Sequence, residues 1–332
     1  MSKLLSQGGY GCVYRPEIKC SGEIGSKNLV SKLQKLNYAS KNEYHISNII
    51  RSIKHHKQYF LPALKSCPVK LSNIDENILK PCEIINQKYS YVLMNFKYLE
   101  NIEFLPFFST TTKPNLYLIE MYETLVKGLE LLYNNNIVHH DLKIENILIS
   151  TKNNMPIIID YGISIDMSQA NKTNYDNIFY IFAPEYYPWC IELHIISYIV
   201  QTRMNEDNDT PLTQRELYDI IDSYTKNSFF ISFSQVFVQN YNTALKHHLM
   251  SYVNERLDTI MHTLLNNYAS WDLVSLSIIF IKLIKLVYET KPMPKIIIDL
   301  LEILLLNMSP DITKRPLHTK TLNTIKNLKK MK

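Results

Sequence analysis

Glycine is scarce in this chain, seven residues in 332 beside fourteen prolines. That composition excludes a collagen-like repeat or a low-complexity chain. Neither sign of charge dominates: 36 Lys and Arg against 31 Asp and Glu leave +5, too mild to demand a nucleic-acid partner. The five cysteines, Cys12, Cys20, Cys67, Cys82 and Cys190, form an odd, scattered set with no Cys-x-x-Cys pair and no histidine in zinc spacing. A reduced intracellular chain, cytoplasmic in setting, is the expectation. The opening residues Met1 to Gly8 lack the apolar core of a signal peptide. The most apolar run, Leu273 to Tyr288, is interrupted by Lys282 and Lys285, so it reads as a buried helix and no membrane contact is expected. No internal repeat is visible.

What is present is enough apolar sequence, 46% of residues, for a substantial core. Charge is unevenly spread. Lys and Arg outnumber Asp and Glu by 14 to 6 over residues 1–95, and fall behind, 22 to 25, over 96–332. The first third reads as strand-rich: a strand, glycine-rich turn and strand over Leu4 to Tyr14, a short strand at Leu29 to Leu33, and another at Tyr89 to Phe96. A helix over Lys41 to Lys54 interrupts it. The remainder is mainly helical. Leu118, Tyr122, Leu125, Leu129 and Leu132 give one apolar helix face, and further helices are expected over Leu273–Val287 and Ile296–Leu306. Thr213 and Glu216 have capping-box spacing. Two short strands, Ile147–Ile149 and Pro156–Ile159, flank a hairpin turn at Thr151–Asn154.

Three segments carry chemistry. Ser6-Gln-Gly8-Gly9-Tyr-Gly11-Cys12-Val13 could bring backbone N–H groups against a polyphosphate, or could be an ordinary hairpin. His139-His140-Asp141-Leu-Lys143-Ile-Glu-Asn146 offers a carboxylate to take a hydroxyl proton, a cation for a transferring phosphoryl group and an amide oxygen for a metal. Ile157-Ile158-Ile159-Asp160-Tyr161-Gly162 ends an apolar strand in a carboxylate suited to magnesium; an ordinary Asp-x-Gly turn is the plain alternative.

Taken in order, these segments resemble the eukaryotic-type serine/threonine protein kinase family. The glycine loop has Ser6 in the first glycine position. The catalytic loop is His139 to Asn146, Asp160-Tyr161-Gly162 stands for Asp-Phe-Gly, and Ala183-Pro184-Glu185 reads as Ala-Pro-Glu. Asp272 after Trp271 and the late Arg315 also have counterparts. The resemblance implies an α+β, bilobal protein-kinase fold: a small β-rich N-lobe over 1–95 and a large helical C-lobe over 96–332, with a helical insertion at about 191–266. It implies ATP and Mg2+ as cofactors and a protein bearing a Ser/Thr acceptor as partner, with no nucleic acid. Leu5, Ser6, Gly8, Gly9, Gly11, Val13, Val30, Lys32, Glu43, Met94, Phe96 and Leu148 would hold the nucleotide, with Asn95 to Tyr98 as the hinge. Lys32 would take the α- and β-phosphates, with Glu43 fixing it. Asn146 and Asp160 would bind metal. Asp141 would orient the acceptor hydroxyl, Lys143 would neutralise charge, Asp272 would brace the catalytic loop, and Glu185 would pair with Arg315.

Several positions depart from the family pattern. His140 replaces the arginine that docks a phosphorylated activation loop, so switching by phosphorylation is in question although Ser164, Ser168, Thr173, Tyr175 and Tyr180 are available. Ile178 stands five residues before Ala183, where serine/threonine members usually have threonine; Lys143 favours serine/threonine specificity. The segment Pro16 to Ser26 has no evident role. Cys12 could face the nucleotide as a thiol or be a packed small residue. The glycine-loop to Pro16 stretch, the short Lys32-to-Glu43 spacing and the long C-lobe insertion together resemble the divergent kinases of large DNA viruses, and the abundant Ile, Asn, Lys and Tyr, whose codons are AT-rich, agree. Alternatives from other classes are a non-catalytic pseudokinase scaffold and a small-molecule kinase.

Overall fold

The computed structural model describes residues 2–9, 11–203 and 210–330. Tyr10 of the glycine-rich segment and residues 204–209 of the expected insertion therefore lie outside the described residues. Among the described residues the strands are β1 Lys3–Gly8, β2 Gly11–Arg15, β3 Leu29–Lys35, β4 Lys65–Val69, β5 Tyr91–Lys97, β6 Asn101–Ile102, β7 Ile137–Val138, β8 Ile147–Ser150, β9 Pro156–Ile158 and β10 Ile165–Asp166. The helices are α1 Tyr38–Ser52, α2 Glu76–Leu79, α3 Phe104–Thr110, α4 Pro114–Tyr133, α5 Tyr175–Ile178, α6 Ile191–Thr202, α7 Gln214–Thr225, α8 Gln235–Leu249, α9 Leu257–Asn266, α10 Trp271–Val287, α11 Lys295–Asn307 and α12 His318–Lys330. The α+β expectation stands. The contacts divide the chain into Met1–Glu103 with Asn146–Ser164, and Phe104–Glu145 with Ile165–Lys332. The division falls at 103/104, where the expected lobe boundary was 95/96, because β6 pairs with β8 and draws both into the first unit.

The first unit is built on an antiparallel sheet ordered β1-β2-β3-β5-β4. Alternation along the central strand assigns its two faces. Tyr91 and Leu93 of β5 join Tyr14, Leu33, Val69, Ile74 and Ile78 on one side. Val92, Met94 and Phe96 join Val30 and Ala63 on the other, with Val13 and Tyr44 packed against them. Lys32 lies opposite Met94 in the β3–β5 register, which puts its side chain on the second face. Helix α1 starts at a capping box between Asn37 and Ser40. Its buried stripe, Ala39, Glu43, Ile46 and Ile50, follows helical spacing and carries Glu43 inward.

Four of the five cysteines are paired, Cys12 with Cys82 and Cys20 with Cys67. The expectation of a reduced chain is therefore corrected. Pairs 70 and 47 residues apart leave no local spacing to read. Cys12 is buried on the first face of the sheet, so it is not a thiol turned to a nucleotide. The Pro16 to Ser26 segment also acquires a role. It is a small hairpin, bridged Ile18 to Ile24, laid on that face. Ser31 Oγ accepts from the Ile18 N–H at 2.7 Å and donates to its carbonyl at 2.9 Å. Gly22 has φ +91, and a Cβ there would meet the Asn73 carbonyl oxygen at 1.8 Å, so only glycine fits.

In the second unit α4 buries Leu118, Tyr122, Leu125, Leu129 and Leu132. Helix α10 is buried on nearly every side, as a helix apolar all round should be, and Lys282 and Lys285 mark its exposed edge. A buried polar chain ties four helices: Asn307 donates to the Tyr122 hydroxyl at 2.6 Å and to Ser277 Oγ at 3.2 Å, while Thr321 donates to Asn307 Oδ1. The expected insertion is helical where described, comprising α6 to α9, and the Thr213–Glu216 capping box forms. No helix among the described residues is long and apolar enough to cross a membrane.

Protein prepared under oxidising conditions should show one titratable thiol after denaturation, that of Cys190, and peptides cross-linked Cys12–Cys82 and Cys20–Cys67 on non-reducing mass spectrometry. The double exchange Cys12→Ser with Cys82→Ser should lower the unfolding free energy in urea by about 2–4 kcal/mol. Five free thiols, or a melt indifferent to reductant, would contradict the pairing.

Candidate active site

In the first unit Lys32 of β3 meets two carboxylates. Its ammonium donates to Glu43 Oε1 and Oε2 at 3.1 and 2.9 Å and to Asp160 Oδ1 at 3.1 Å. The side chains are 11% exposed for Lys32, 1% for Glu43 and 29% for Asp160. Burial alone would lower the Lys32 pKa, but Glu43 and Asp160 outweigh it and hold the ammonium above the ordinary lysine range. Burial pushes the Glu43 carboxyl up, while Lys32 and a 2.8 Å bond from the Gln34 amide oppose that rise. Asp160 is placed by β9, which is anchored to the α1–β4 connection through Leu61 N–H to Ile158 O at 3.1 Å and Ile158 N–H to Tyr59 O at 2.8 Å. Asp160 itself has φ +64, a left-handed conformation uncommon for a non-glycine residue. The following turn is held by Asn42 of α1, whose amide donates to the carbonyls of Gly162 and Ser164 at 3.1 and 2.7 Å. Tyr161 is fully buried and donates to the Ile158 carbonyl at 2.6 Å.

The other residues expected around a nucleotide fall in four places. Val13, Val30, Met94 and Phe96 share the sheet face that carries Lys32. Leu5, Ser6, Gly8 and Gly9 are exposed on β1 and its turn, and nothing lies within 4 Å of a Cβ built on Gly8 or Gly9. Gly11 differs: a Cβ there would meet the Leu33 carbonyl oxygen at 3.0 Å and Lys32 Cγ at 3.2 Å, so its smallness lets β2 lie against β3. Leu148 is half-buried on β8, and Asn146 is buried just before it, its carbonyl accepting from Ile159 N–H at 3.0 Å. The expected hinge, Asn95 to Tyr98, falls at the end of β5. Asn95 to Lys97 are still in β5, and the Tyr98 N–H already donates to Asn28 O at 2.9 Å.

This donor set fits a magnesium-bound polyphosphate. Lys32, Glu43 and Asp160 together carry one net negative charge, and Asp160 keeps an exposed edge. No cluster of three or more His, Cys, Asp or Glu that could cage a metal occurs among the described residues. Mg2+ is commonly held by one or two protein oxygens plus phosphates, and Asp160 with the Asn146 amide oxygen would supply that share.

Asp141 and Lys143 belong to the second unit, and the chain passes from that unit to the first between Glu145 and Asn146. Lys143 Nζ donates to Asp141 Oδ2 at 2.9 Å, and the Tyr186 hydroxyl donates to Asp141 Oδ1 at 2.5 Å. The loop before Asp141 is fixed from α10. Asp272 Oδ2 accepts from the His139 N–H at 2.7 Å and Oδ1 from the His140 N–H at 3.1 Å. Burial raises the Asp272 carboxyl, and His139 with these two N–H groups opposes the rise. His140 has φ +66, its carbonyl accepts from Trp189 Nε1 at 2.8 Å, and its ring stacks on Trp189 at 4.7 Å with 5° between planes.

One expected pair does not form. Glu185 is exposed, and Arg315 is instead bound to Glu192, Nη1 to Oε1 at 2.6 Å, the side chains only 2% and 0% exposed. Seven residues separate the two glutamates, and Glu192 enters the core because it lies in the first turn of the buried helix α6. Counting back five from Cys190, which precedes Ile191-Glu192, the place of the family's threonine moves from Ile178 to Glu185, next to Tyr186. Gln34, Asn42, Tyr186, Trp189 and Glu192 were not anticipated. The only readable signal was an acidic residue opening an apolar helix at Ile191-Glu192.

A model of the protein kinase domain matches residues 2–187, more than half of the chain. The chain belongs to the protein kinase family. Cyclin-dependent kinase-like 5 of Mus musculus and of Homo sapiens are each 27% identical over 174 residues, 52% of this chain and 16% of theirs. The serine/threonine-protein kinase CAK1 of Saccharomyces cerevisiae is 36% identical over 64 residues, 18% of this chain and 17% of that protein. The chain thus spans about a sixth of the length of these curated relatives.

Glu192→Ala would leave the Arg315 guanidinium buried without its carboxylate. The expected loss is about 3–5 kcal/mol of unfolding free energy, against less than about 0.5 kcal/mol for Glu185→Ala. Urea denaturation of both variants checks this, and equal losses would restore Glu185 as the partner.

Proposed function

We propose that the protein transfers the γ-phosphoryl group of ATP, with magnesium, to serine or threonine hydroxyls of proteins. The observation that carries this reading is the buried Lys32 ammonium held by Glu43 beside the partly exposed Asp160. Lys32 binds the α- and β-phosphates, and Glu43 fixes its direction. The exposed glycines Gly8 and Gly9 let backbone approach the phosphates, while Leu5, Ser6, Val13, Val30, Met94, Phe96 and Leu148 enclose the base and sugar. Bound through Asp160 and Asn146, magnesium supplies neutralising charge to the phosphate oxygens. Asp141 orients the acceptor hydroxyl and receives its proton as the O–P bond forms and ADP leaves, and Lys143 neutralises charge beside it.

Serine/threonine preference rests on Lys143 and on the likeness to a serine/threonine-protein kinase of yeast. We also propose a kinship with the kinases of large DNA viruses, on the glycine-loop to Pro16 stretch, the short Lys32-to-Glu43 spacing and the helical insertion at about 191–266. An intracellular setting requires a dithiol oxidant to form Cys12–Cys82 and Cys20–Cys67, since reducing compartments keep thiols apart.

With labelled ATP, Mg2+ and a generic basic protein, wild type should incorporate phosphate on serine and threonine. Asp141→Asn should lose about 10²–10⁴ in turnover, and Lys32→Met should lose nucleotide affinity as well as turnover. Equal incorporation by wild type and Asp141→Asn would overturn the assignment. Nucleotide binding without transfer would make the chain a scaffold, and mainly phosphotyrosine in the product would overturn the acceptor class.

A further inference from the structure

Gln34 is a buried polar residue on an otherwise apolar stretch of sheet. Alternate residues of β3 project with Lys32, and their partners across β5 are apolar: Val30 lies opposite Phe96, Lys32 opposite Met94 and Gln34 opposite Val92. Gln34 is 4% exposed, and a glutamine is rarely so far from water unless its amide is bonded. Both amide hydrogens find acceptors here. Nε2 donates to Glu43 Oε2 at 2.8 Å and to Met94 Sδ at 3.4 Å. The Glu43 carboxylate decides which end of the amide points inward, because a carbonyl oxygen in that place would meet a carboxylate oxygen with no proton between them.

The donors around Lys32 show what this bond does. An ammonium has three N–H groups. Those of Lys32 go to Glu43 Oε1 at 3.1 Å, Glu43 Oε2 at 2.9 Å and Asp160 Oδ1 at 3.1 Å. Each phosphate oxygen that Lys32 takes therefore replaces one of these contacts. Glu43 accepts two hydrogen bonds from Lys32 and one from Gln34, and its side chain is only 1% exposed, shielded from water that could replace a lost donor. The bond from Gln34 does not depend on the ammonium, and the charge of its acceptor makes it stronger than a neutral pair. It also adds a donor without adding charge. A lysine or arginine at position 34 would cancel the net negative charge of Lys32, Glu43 and Asp160 and compete with Lys32 for Glu43.

We infer that Gln34 is a positioning residue for the Lys32–Glu43 pair, its amide holding the Glu43 carboxylate in place while Lys32 shares its protons with the phosphates of ATP. The inference rests on the phosphoryl-transfer reading and adds a residue to it. Lys32 holds the α- and β-phosphates before and during transfer, so a loosened Glu43 weakens the bound nucleotide and the transition state alike. Such a loss raises KM for ATP and leaves kcat nearly unchanged.

The experiment uses four full-length proteins: wild type, Gln34→Met, Glu43→Gln and the double variant. Methionine is unbranched and close to glutamine in length, and it lacks the donor. Calorimetry gives the dissociation constant of MgADP, steady-state transfer to a serine-containing protein gives KM for ATP and kcat, and circular dichroism checks that each variant is folded. Gln34→Met should bind MgADP about 3–30-fold more weakly, with a matching rise in KM, and its kcat should stay within about threefold of wild type. Adding Gln34→Met to Glu43→Gln should change the affinity by less than about twofold, because the residue acts through the carboxylate. Unchanged affinity in Gln34→Met overturns the inference, as does a loss confined to kcat. Equal losses in both backgrounds overturn it in favour of general packing. Where Glu43→Gln binds too weakly to measure, the split between KM and kcat in Gln34→Met decides alone. Failure of both Gln34→Met and Gln34→Leu to fold overturns it in favour of a structural role. Each of these overturning results leaves the kinase reading standing, whereas wild type that neither binds MgADP nor transfers phosphate removes that reading and the inference with it.

Discussion

The Lys32 ammonium lies almost wholly out of water, and the first unit is arranged around making that tolerable. A buried, unpaired ammonium costs several kcal/mol even after relaxation. Glu43 and Asp160 offset this only if both carboxylates are delivered to within about 3 Å from separate parts of the chain. Three features of the fold follow. The β3–β5 register turns Lys32 to the face that α1 covers. The α1 stripe admits one acidic residue among alanine and isoleucines. The β9 strand is stitched to the α1–β4 connection so that the chain reaches Asp160 on the correct side. Gln34 and Asn42 secure the same geometry, one bonding Glu43 and the other the turn after Asp160.

The second unit follows a similar rule with the charges reversed. Asp272 is a buried carboxylate at the start of α10, and what it accepts are the backbone N–H groups of His139 and His140. Two hydrogen bonds to a charged acceptor, roughly twice as strong as neutral ones, help to hold His140 in a left-handed conformation. That bend delivers Asp141 toward Lys143 and Tyr186. Deeper in the same unit, Arg315 and Glu192 form a pair with almost no exposure, which connects the end of the activation segment to the loop before α12. Charges in both units thus fix backbone direction next to the residues that carry chemistry.

Much of this was legible. Period-two and helical patterning located β1 to β3, β5, α1, α4, α10 and α11, and the capping box before α7 formed as read. Short polar motifs located Lys32, Glu43 and Asp160, which the fold brings together, and Asp141 with Lys143, which it also joins. The failures share a cause. The disulfides, the Arg315 partner and the contact between Tyr186 and Asp141 each join residues more than 40 positions apart, and each depends on side-chain packing that leaves no local periodicity. Ala183-Pro184-Glu185 was misleading because three letters matched a motif whose physical content, a glutamate buried in the first turn of a helix, is met seven residues later by Glu192.

The two disulfides belong to the same argument as the ion triple, seen from the other side of the sheet. Cys12 pairs in register with Leu33, and Val13 with Lys32, so consecutive residues of β2 project to opposite faces. On the face away from Lys32, Cys12–Cys82 and Cys20–Cys67 fasten the 16–26 hairpin and the segment after α2 over a core of modest size. Small units with limited apolar burial commonly need such cross-links. Gly11 lets β2 approach within contact distance of the Lys32 stem, so any slackening of the cross-linked face reaches the lysine through a single strand. Cys12–Cys82 thus holds β2 on one face of the sheet, while the charged cluster holds its neighbour β3 on the other.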